Sequence, residues 1–519
     1  MTRQKVQDQQ VSFAGGYNPV GDPSFLRPDQ CSQLANFRLT RVGAAQKRLG
    51  TQLIKNPPWC INASANDTYG GFFFPGDQKI YISAGNNSST AQHLWQTSYP
   101  NPFAAIVTDL GVFPQYRMVA FRNTNGRSTI YAAGDISNVV YTYNATDGIV
   151  ALGGSTAKCA GLVVYNRRLW GWYGGTAATN LLYYSPQDNG DYLGDTANSG
   201  GSIKVDTFGL STIVACVVVG ASLLILHQQG VSRLTGWGQD DISVQPQSLS
   251  SAYGMGRATA SGVCVWNDTA YFVSDAGLIR ATEASVEPLD TPDTPDPLRA
   301  LFQAGTSDPS QCTLVYNAPY NEVWVSIKNY GILVYNTVLK AWSLFTGTYA
   351  SSTIVTKALF PVWEGLGTAP VGTAYGNMKI WRVTYDNTGP GMNVSECDRV
   401  GTYKDDMSAG TPSGGTTVTG TIQCHRMFGQ GDRSVAKAWR WVNVVATLDS
   451  AGTAPVMTST TQLGSSNVQT FSTLTSVQQP YYCQGSGVGP WIDVVIADTS
   501  ATASQYEHVD VDGFILGQR

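Results

Sequence analysis

A strand–turn–strand unit returns along this chain about every 40–50 residues, and that recurrence narrows the possible folds more than any other feature. The clearest copy runs over 258–282, ATASGVCVWNDTAYFVSDAGLIRAT. It reads as an apolar strand, a polar turn at Asn267 and Asp268, a second strand, a turn around Gly277 and a third strand. Similar units occupy 160–184, 212–236 and 312–343, and aligned starting points fall near 68, 115, 160, 212, 261, 312 and 353. A repeat of this length cannot bury both faces of its own small sheet. Stacked radially, each sheet covers the next and leaves only short edges exposed. The expectation is an all-β chain: a β-propeller of about seven blades, with six or eight within alignment error, over 51–400.

Composition supports this reading. Apolar residues make up 42% of the chain and charged residues 13%, so a large core is available. The 55 glycines suit many tight turns, and no long helical periodicity is visible. The formal charge of −4 excludes a globally basic nucleic-acid binder. No stretch approaches the roughly 20 apolar residues of a membrane span. The opening MTRQKVQDQQ has no apolar core, so no signal peptide is expected. Nine cysteines stand singly, and an odd count without close pairs predicts reduced thiols made in a reducing compartment.

The flanks differ from the repeats. Residues 1–50 are rich in Gly and Pro and carry seven Lys or Arg against three Asp. They are expected to form an N-terminal assembly arm, ordered by strand pairing either with the chain's own C-terminal strands or with a neighbouring ring. Ala44–Leu49 is its best strand, and Arg38, Arg41 and Arg48 are placed to meet acidic neighbours. Residues 283–297 hold five carboxylates and four prolines with no basic residue, which predicts an exposed, stiff loop between blades. Residues 386–420 read as a linker. Longer Thr- and Val-rich strands follow, and a C-terminal β-sandwich is expected over 401–519.

No set of residues in the sequence assembles into a recognisable catalytic motif. Sialidase propellers carry S-x-D-x-G-x-x-W turns. Here the run from Ser185 to Tyr192 has one residue too many before its Asp, and Tyr stands in place of Trp. Such turns hold hairpins in any case, and no carboxylate pair for a glycosidase stands out. His227 reads as a turn residue. His508, near Asp510 and Asp512, reads as an exposed strand end that lacks the later Glu of a calcium loop. Trp170, Trp172 and Tyr173 read as core between blades. No catalytic residue, cofactor or metal is expected.

Three phrases carry a family resemblance. The first comprises Phe13, Gly15, Gly16, Leu34, Asn36, Gly43, Lys47, Arg48 and Gly50 in the N-terminal segment. The second runs through Asn166, Arg168, Leu169 and Trp170, then Tyr184, Ser185, Gly190 and Asp191. The third is GTIQCHRMFGQGDRSVAKAWRWVNV near the C-terminus. Together they resemble the tail nozzle, or tail hub, proteins of short-tailed bacteriophages. The resemblance implies a virion structural protein assembled in the host cytoplasm. It implies a homohexameric ring below the portal and adaptor rings that extends and closes the DNA ejection channel. Tail fibres or tailspikes would be its neighbours, and genomic DNA would pass through without sequence-specific binding. Residues 401–519 carry 6 basic and 9 acidic side chains, a balance that suits a wall to which DNA does not stick. The competing expectation is a carbohydrate-binding or carbohydrate-cleaving tail propeller that contacts the host surface.

Overall fold

The computed structural model describes residues 5–19, 22–53, 69–74, 77–85, 92–98, 107–134, 138–152, 158–173, 180–208, 211–236, 247–290, 295–350, 354–363, 378–386, 391–399, 403–405, 415–429, 433–449, 453–463, 466–471, 476–484 and 487–516. The fold is all-β and contains a β-propeller. Among the described residues there is one α-helix, Pro297–Gln303.

The repeat units become antiparallel four-stranded meanders. Their first strands begin at Gly70, Arg117, Gly161, Ile213, Val263, Cys312 and Ile354. Each lies within about two residues of its expected start, because the turn residues that end one hairpin fix where the next begins. First strands of successive units lie side by side in chain order, and Ile354–Trp363 in turn lies beside Gly70–Phe74. Six of the units are separate four-stranded sheets. The unit Cys312–Phe345 is not a separate sheet, so the count of discrete blades is six where about seven were expected. Its last strand, Ala341–Phe345, continues into a ten-stranded sheet.

Short tight turns shape the blades. Asn166–Arg167 and Asn267–Asp268 all have positive φ, the conformation of two-residue hairpin turns. The final blade is composite. Its strands Ile354–Trp363, Met378–Asp386 and Gly391–Arg399 are completed by Gly50–Leu53 from ahead of the first blade. Chain ends of the propeller are therefore hydrogen-bonded to one another rather than left as an open seam.

The N-terminal segment is built into the rest of the chain. We label its strands β1 (Lys5–Gln10), β2 (Gln30–Ala35), β3 (Phe37–Leu39), β4 (Ala45–Lys47) and β5 (Gly50–Leu53). The C-terminal strands are β6 (Gly420–Cys424), β7 (Lys437–Leu448), β8 (Val456–Thr461), β9 (Ser466–Thr470), β10 (Gln479–Gln484), β11 (Ile492–Asp498) and β12 (Ser504–Ile515). β2 joins the Cys312–Phe345 unit to β6, and the sheet runs on through β11 and β8 to β9. A second sheet contains β3, β4, β12, β7 and β10, with β1 also paired to β12. Within the chain, the segment pairs with its own C-terminal strands, as one of the two expected alternatives had it, and with blade strands as well.

β7, β8, β11 and β12 alternate buried and more accessible residues, the sign of a sheet with one covered face. Ile422, Met457, Val494 and Ile496 of one sheet, and Val442, Val444, Tyr506 and Val509 of the other, are all buried. Most of the expected linker 386–420 divides differently. Gly391–Arg399 is a blade strand, Lys404–Asp405 pairs with Thr416–Thr417, and 406–414 lie outside the described residues.

The acidic, Pro-rich stretch also departs from expectation. Val286–Pro288 is the outer strand of its blade. Asp296 is 2% exposed and caps the helix that starts at Pro297. Composition made this stretch look solvated, but a single buried cap residue suffices to anchor it.

Candidate functional site

The strongest concentration of constrained side chains is the junction where the N-terminal segment meets both the blades and the C-terminal sheets. Arg38, on β3, donates from Nε to Glu322 at 2.7 Å and from a terminal nitrogen to Asp398 at 2.7 Å. Its guanidinium also lies over the Tyr320 ring, 3.6 Å from the centroid. Arg48 donates to both oxygens of Asp405, at 2.8 and 2.5 Å. Lys47 donates to Asp498 at 2.8 Å and to the Ser500 carbonyl at 2.6 Å. Arg38, Lys47 and Arg48 are all buried, as are Glu322, Asp398, Asp405 and Asp498.

Asn36 ties this cluster together. It adopts φ 61°, which an Asn tolerates better than most residues. Its Oδ1 accepts from Arg48 Nε and from the Thr346 amide, both at 2.8 Å. Its Nδ2 donates to the Thr419 carbonyl at 2.6 Å and to Thr346 Oγ1 at 2.8 Å. One side chain thus joins the N-terminal segment, the Cys312–Phe345 unit and the approach to β6. Gly16 is equally constrained: φ is +67°, and a Cβ there would lie 2.5 Å from the Trp342 carbonyl oxygen.

Electrostatics explain why these charges stay buried. Burial works against the Arg38 charge, but Asp398 and Glu322 more than offset it, so the guanidinium is held protonated more firmly than usual. Arg48 behaves the same way through Asp405. Burial raises the Glu322 carboxyl above its ordinary range, with Arg38 pulling the other way. Lys47 is lowered by burial, which outweighs Asp498. Asp498 ends below its ordinary range because Lys47, Ser504 and Ser500 together exceed the effect of burial.

The expected basic residues divide. Arg38 and Arg48 meet acidic partners within the chain, whereas Arg41 is exposed. Those partners were not singled out from the sequence. Asp398 lies 360 residues from Arg38, and no local pattern marks it. Phe13, Leu34, Asn36, Lys47 and Arg48, all positions of the family resemblance, are buried at or beside this junction.

Other expected residues prove structural. Trp170 and Trp172 are buried, and Trp172 donates to the Val214 carbonyl of the next blade. Asp191 accepts from Tyr131 and Thr124 of the preceding blade, so the turn after Ser185 joins two blades. His227 ends its strand at the hairpin turn, as expected, but is fully buried, and burial lowers its pKa to about 4. Its Nε2 lies 3.0 Å from Ser232 Oγ. His508 and Asp510 sit within β12, 3.6 Å apart, and not at a strand end. No group of three or more metal-binding side chains occurs among the described residues. No helix among them is long and apolar enough to cross a membrane. No disulfide occurs among the described residues, and Cys60 lies outside them.

No family model and no curated protein matches the chain. Solved structures similar to it include the extracellular domain of a hybrid two component system from B. thetaiotaomicron, at 10% identity and TM-score 0.39, covering 64% of this chain and 40% of that one. PorZ, a surface component of the type-IX secretion system of Porphyromonas gingivalis, is 14% identical with TM-score 0.40, covering 80% of this chain and 55% of that one. The Neurospora crassa Pan2 WD40 domain is 9% identical with TM-score 0.40, covering 70% and 98%. The chain thus spans about half or less of the first and second of these proteins. Likeness at this level concerns the fold, and no function follows from it.

Proposed function

We propose that the protein is a virion structural protein: the tail nozzle ring of a short-tailed phage. In this reading it forms a homohexamer below the portal and adaptor rings, extends and closes the DNA ejection channel, and anchors fibres or tailspikes. Six copies close a ring through repeated heterologous contacts. The two C-terminal sheets pack as a β-sandwich, one of whose sheets is continuous with the Cys312–Phe345 unit.

The observation that carries the proposal is the woven junction. A conduit part must transmit load between its bodies without hinging. Here the N-terminal segment hydrogen-bonds into both C-terminal sheets and completes a blade. Buried ion pairs at Arg38, Lys47 and Arg48 fix that weave in one register. Buried charge pairs favour a single arrangement more than they add stability, because any other leaves a charge unpaired. Asn36, Lys47 and Arg48, which are among the positions that resemble nozzle proteins, belong to this junction.

The test is to produce particles without this chain. Capsids should fill, then leak DNA and fail to infect, and added purified protein should restore both retention and titre. Normal DNA retention and normal titre without the chain would remove the nozzle assignment. Loss of adsorption alone, with DNA retained, would favour the host-contacting propeller instead.

A further inference from the structure

The accessible face of the second C-terminal sheet carries a groove of about 780 Å³. Strand alternation puts its residues on one side. On β7, Trp441 and Asn443 face away from buried Val442 and Val444. On β12, Asp510 and Asp512 alternate with buried Val509 and Val511. On β10, Tyr482 lies between buried Tyr481 and Cys483.

Register converts these positions into two rungs across the sheet. One rung runs Gln7, Asp512, Trp441, and the next runs Gln9, Asp510, Asn443, Tyr482. Trp441 and Tyr482 are therefore diagonal cross-strand neighbours, about 7–8 Å apart along the sheet. They remain 45% and 70% exposed, an unusual outlay of aromatic surface on a strand face that is otherwise polar.

We infer that this groove binds a neutral oligosaccharide, a function separate from the nozzle reading. Flat aromatic rings with electron-rich faces attract the polarised C–H face of a pyranose. Two rings at diagonal spacing reach two adjacent sugar units. Carboxylates and amides beside the rings accept and donate the hydrogen bonds that sugar hydroxyls require. Beneath the rings, the buried atoms Asn443 Oδ1 and Asp510 Oδ1 have no hydrogen-bond partner among the described residues. The contact between Asn443 Nδ2 and Asp510 is long, at 3.4 Å.

Charge selects among ligands. Asp510 and Asp512 stand on the accessible face of the groove, beside Gln7 and Gln9. The nearby cation Lys5 is paired with Asp512 at 3.3 Å. Anionic sugars, phosphates and nucleic acid are repelled by this set, while uncharged hexoses and N-acetylhexosamines are not.

The test uses the full chain titrated with maltotetraose, N-acetylchitotetraose and, as the anionic control, tetragalacturonate. Tryptophan fluorescence and calorimetry provide the readouts. At least one neutral oligomer should bind with a Kd on the order of 0.1–1 mM. Trp441→Ala should abolish the fluorescence change, Tyr482→Ala should weaken binding about tenfold, and Trp441→Phe should restore most of it. Tetragalacturonate should not bind. Circular dichroism checks that each variant is folded. The inference is overturned if neither neutral oligomer binds at about 10 mM, if tetragalacturonate binds as well as they do, or if Trp441→Ala leaves binding unchanged. It is also overturned if Trp441→Ala dissociates an oligomer, because the groove then seats a second copy of the chain.

Discussion

Replacing Arg38 by alanine probes the junction most sharply. The guanidinium serves two carboxylates at 2.7 Å each. Its side chain is 4% exposed, and those of Glu322 and Asp398 are 1% and 9% exposed. Removing the shared cation leaves both carboxylates buried without it. Breaking one buried pair typically costs about 3–5 kcal/mol. Trp324 still donates to Glu322, and Asn317 to Asp398, which limits the loss. A destabilisation of about 4 kcal/mol at neutral pH is expected, a large part of the roughly 5–15 kcal/mol that holds a typical domain. The sign of the pH dependence follows from Glu322. Burial already raises its pKa against the pull of Arg38, so the variant raises it further. A carboxyl with a folded pKa above its unfolded value contributes stability that is fully present below the unfolded pKa and lost as pH rises through the folded one. The deficit of the variant should therefore shrink on acidification. Urea unfolding followed by tryptophan fluorescence at about pH 5 and pH 7.5 measures both quantities. Adding Glu322→Gln to Arg38→Met should recover part of the loss. A deficit under about 1 kcal/mol, or one that grows on acidification, would refute the reasoning.

Three further outcomes are expected. Gly16→Ala combines a positive φ with a clash at the Trp342 carbonyl, and should destabilise by roughly 1–3 kcal/mol in thermal or urea unfolding. An unchanged midpoint would show that this turn relaxes freely. Burial raises the Cys159, Cys312 and Cys424 thiols to about 12, so maleimide should label few thiols in the folded protein and nearly all after denaturation. Mass-spectrometric detection of several disulfides would contradict that. Asp296 is raised by burial from 3.8 to about 7, so its share of stability is fully present below pH 3.8 and fades as pH rises through 7. Asp296→Asn should flatten this slope, read as amide-exchange protection of Pro297–Gln303 against pH, and an unchanged slope would exclude Asp296 as its source.

The propeller was legible because its information is local. Turn residues such as Asn267 and Asp268 sit where the hairpins turn, and the strand starts followed from them. Ala44–Leu49 likewise contains β4, Ala45–Lys47. The partners of Arg38 and Arg48 were not legible, since Glu322, Asp398 and Asp405 lie 284, 360 and 357 residues away in sequence. The discrete blade count of six fell within the expected range but not at its centre of seven, for a related reason. Nothing in Cys312–Phe345 itself shows that its outer strand meets β2 rather than solvent. Composition misled at Asp296, where a stretch without basic residues conceals one buried cap. The groove left a faint signal: Trp441 and Tyr482 occupy positions where the alternation of β7 and β10 calls for polar residues.

We propose that this chain forms the ring closing a phage tail conduit. A cryo-electron microscopy map of the intact virion, with this chain fitted and counted, tests it most directly. The expected result is a ring of about six copies on the tail axis below the portal and adaptor, with the DNA path running through its centre. Copies found in threes on peripheral fibres, or no copies on the axis, would contradict it.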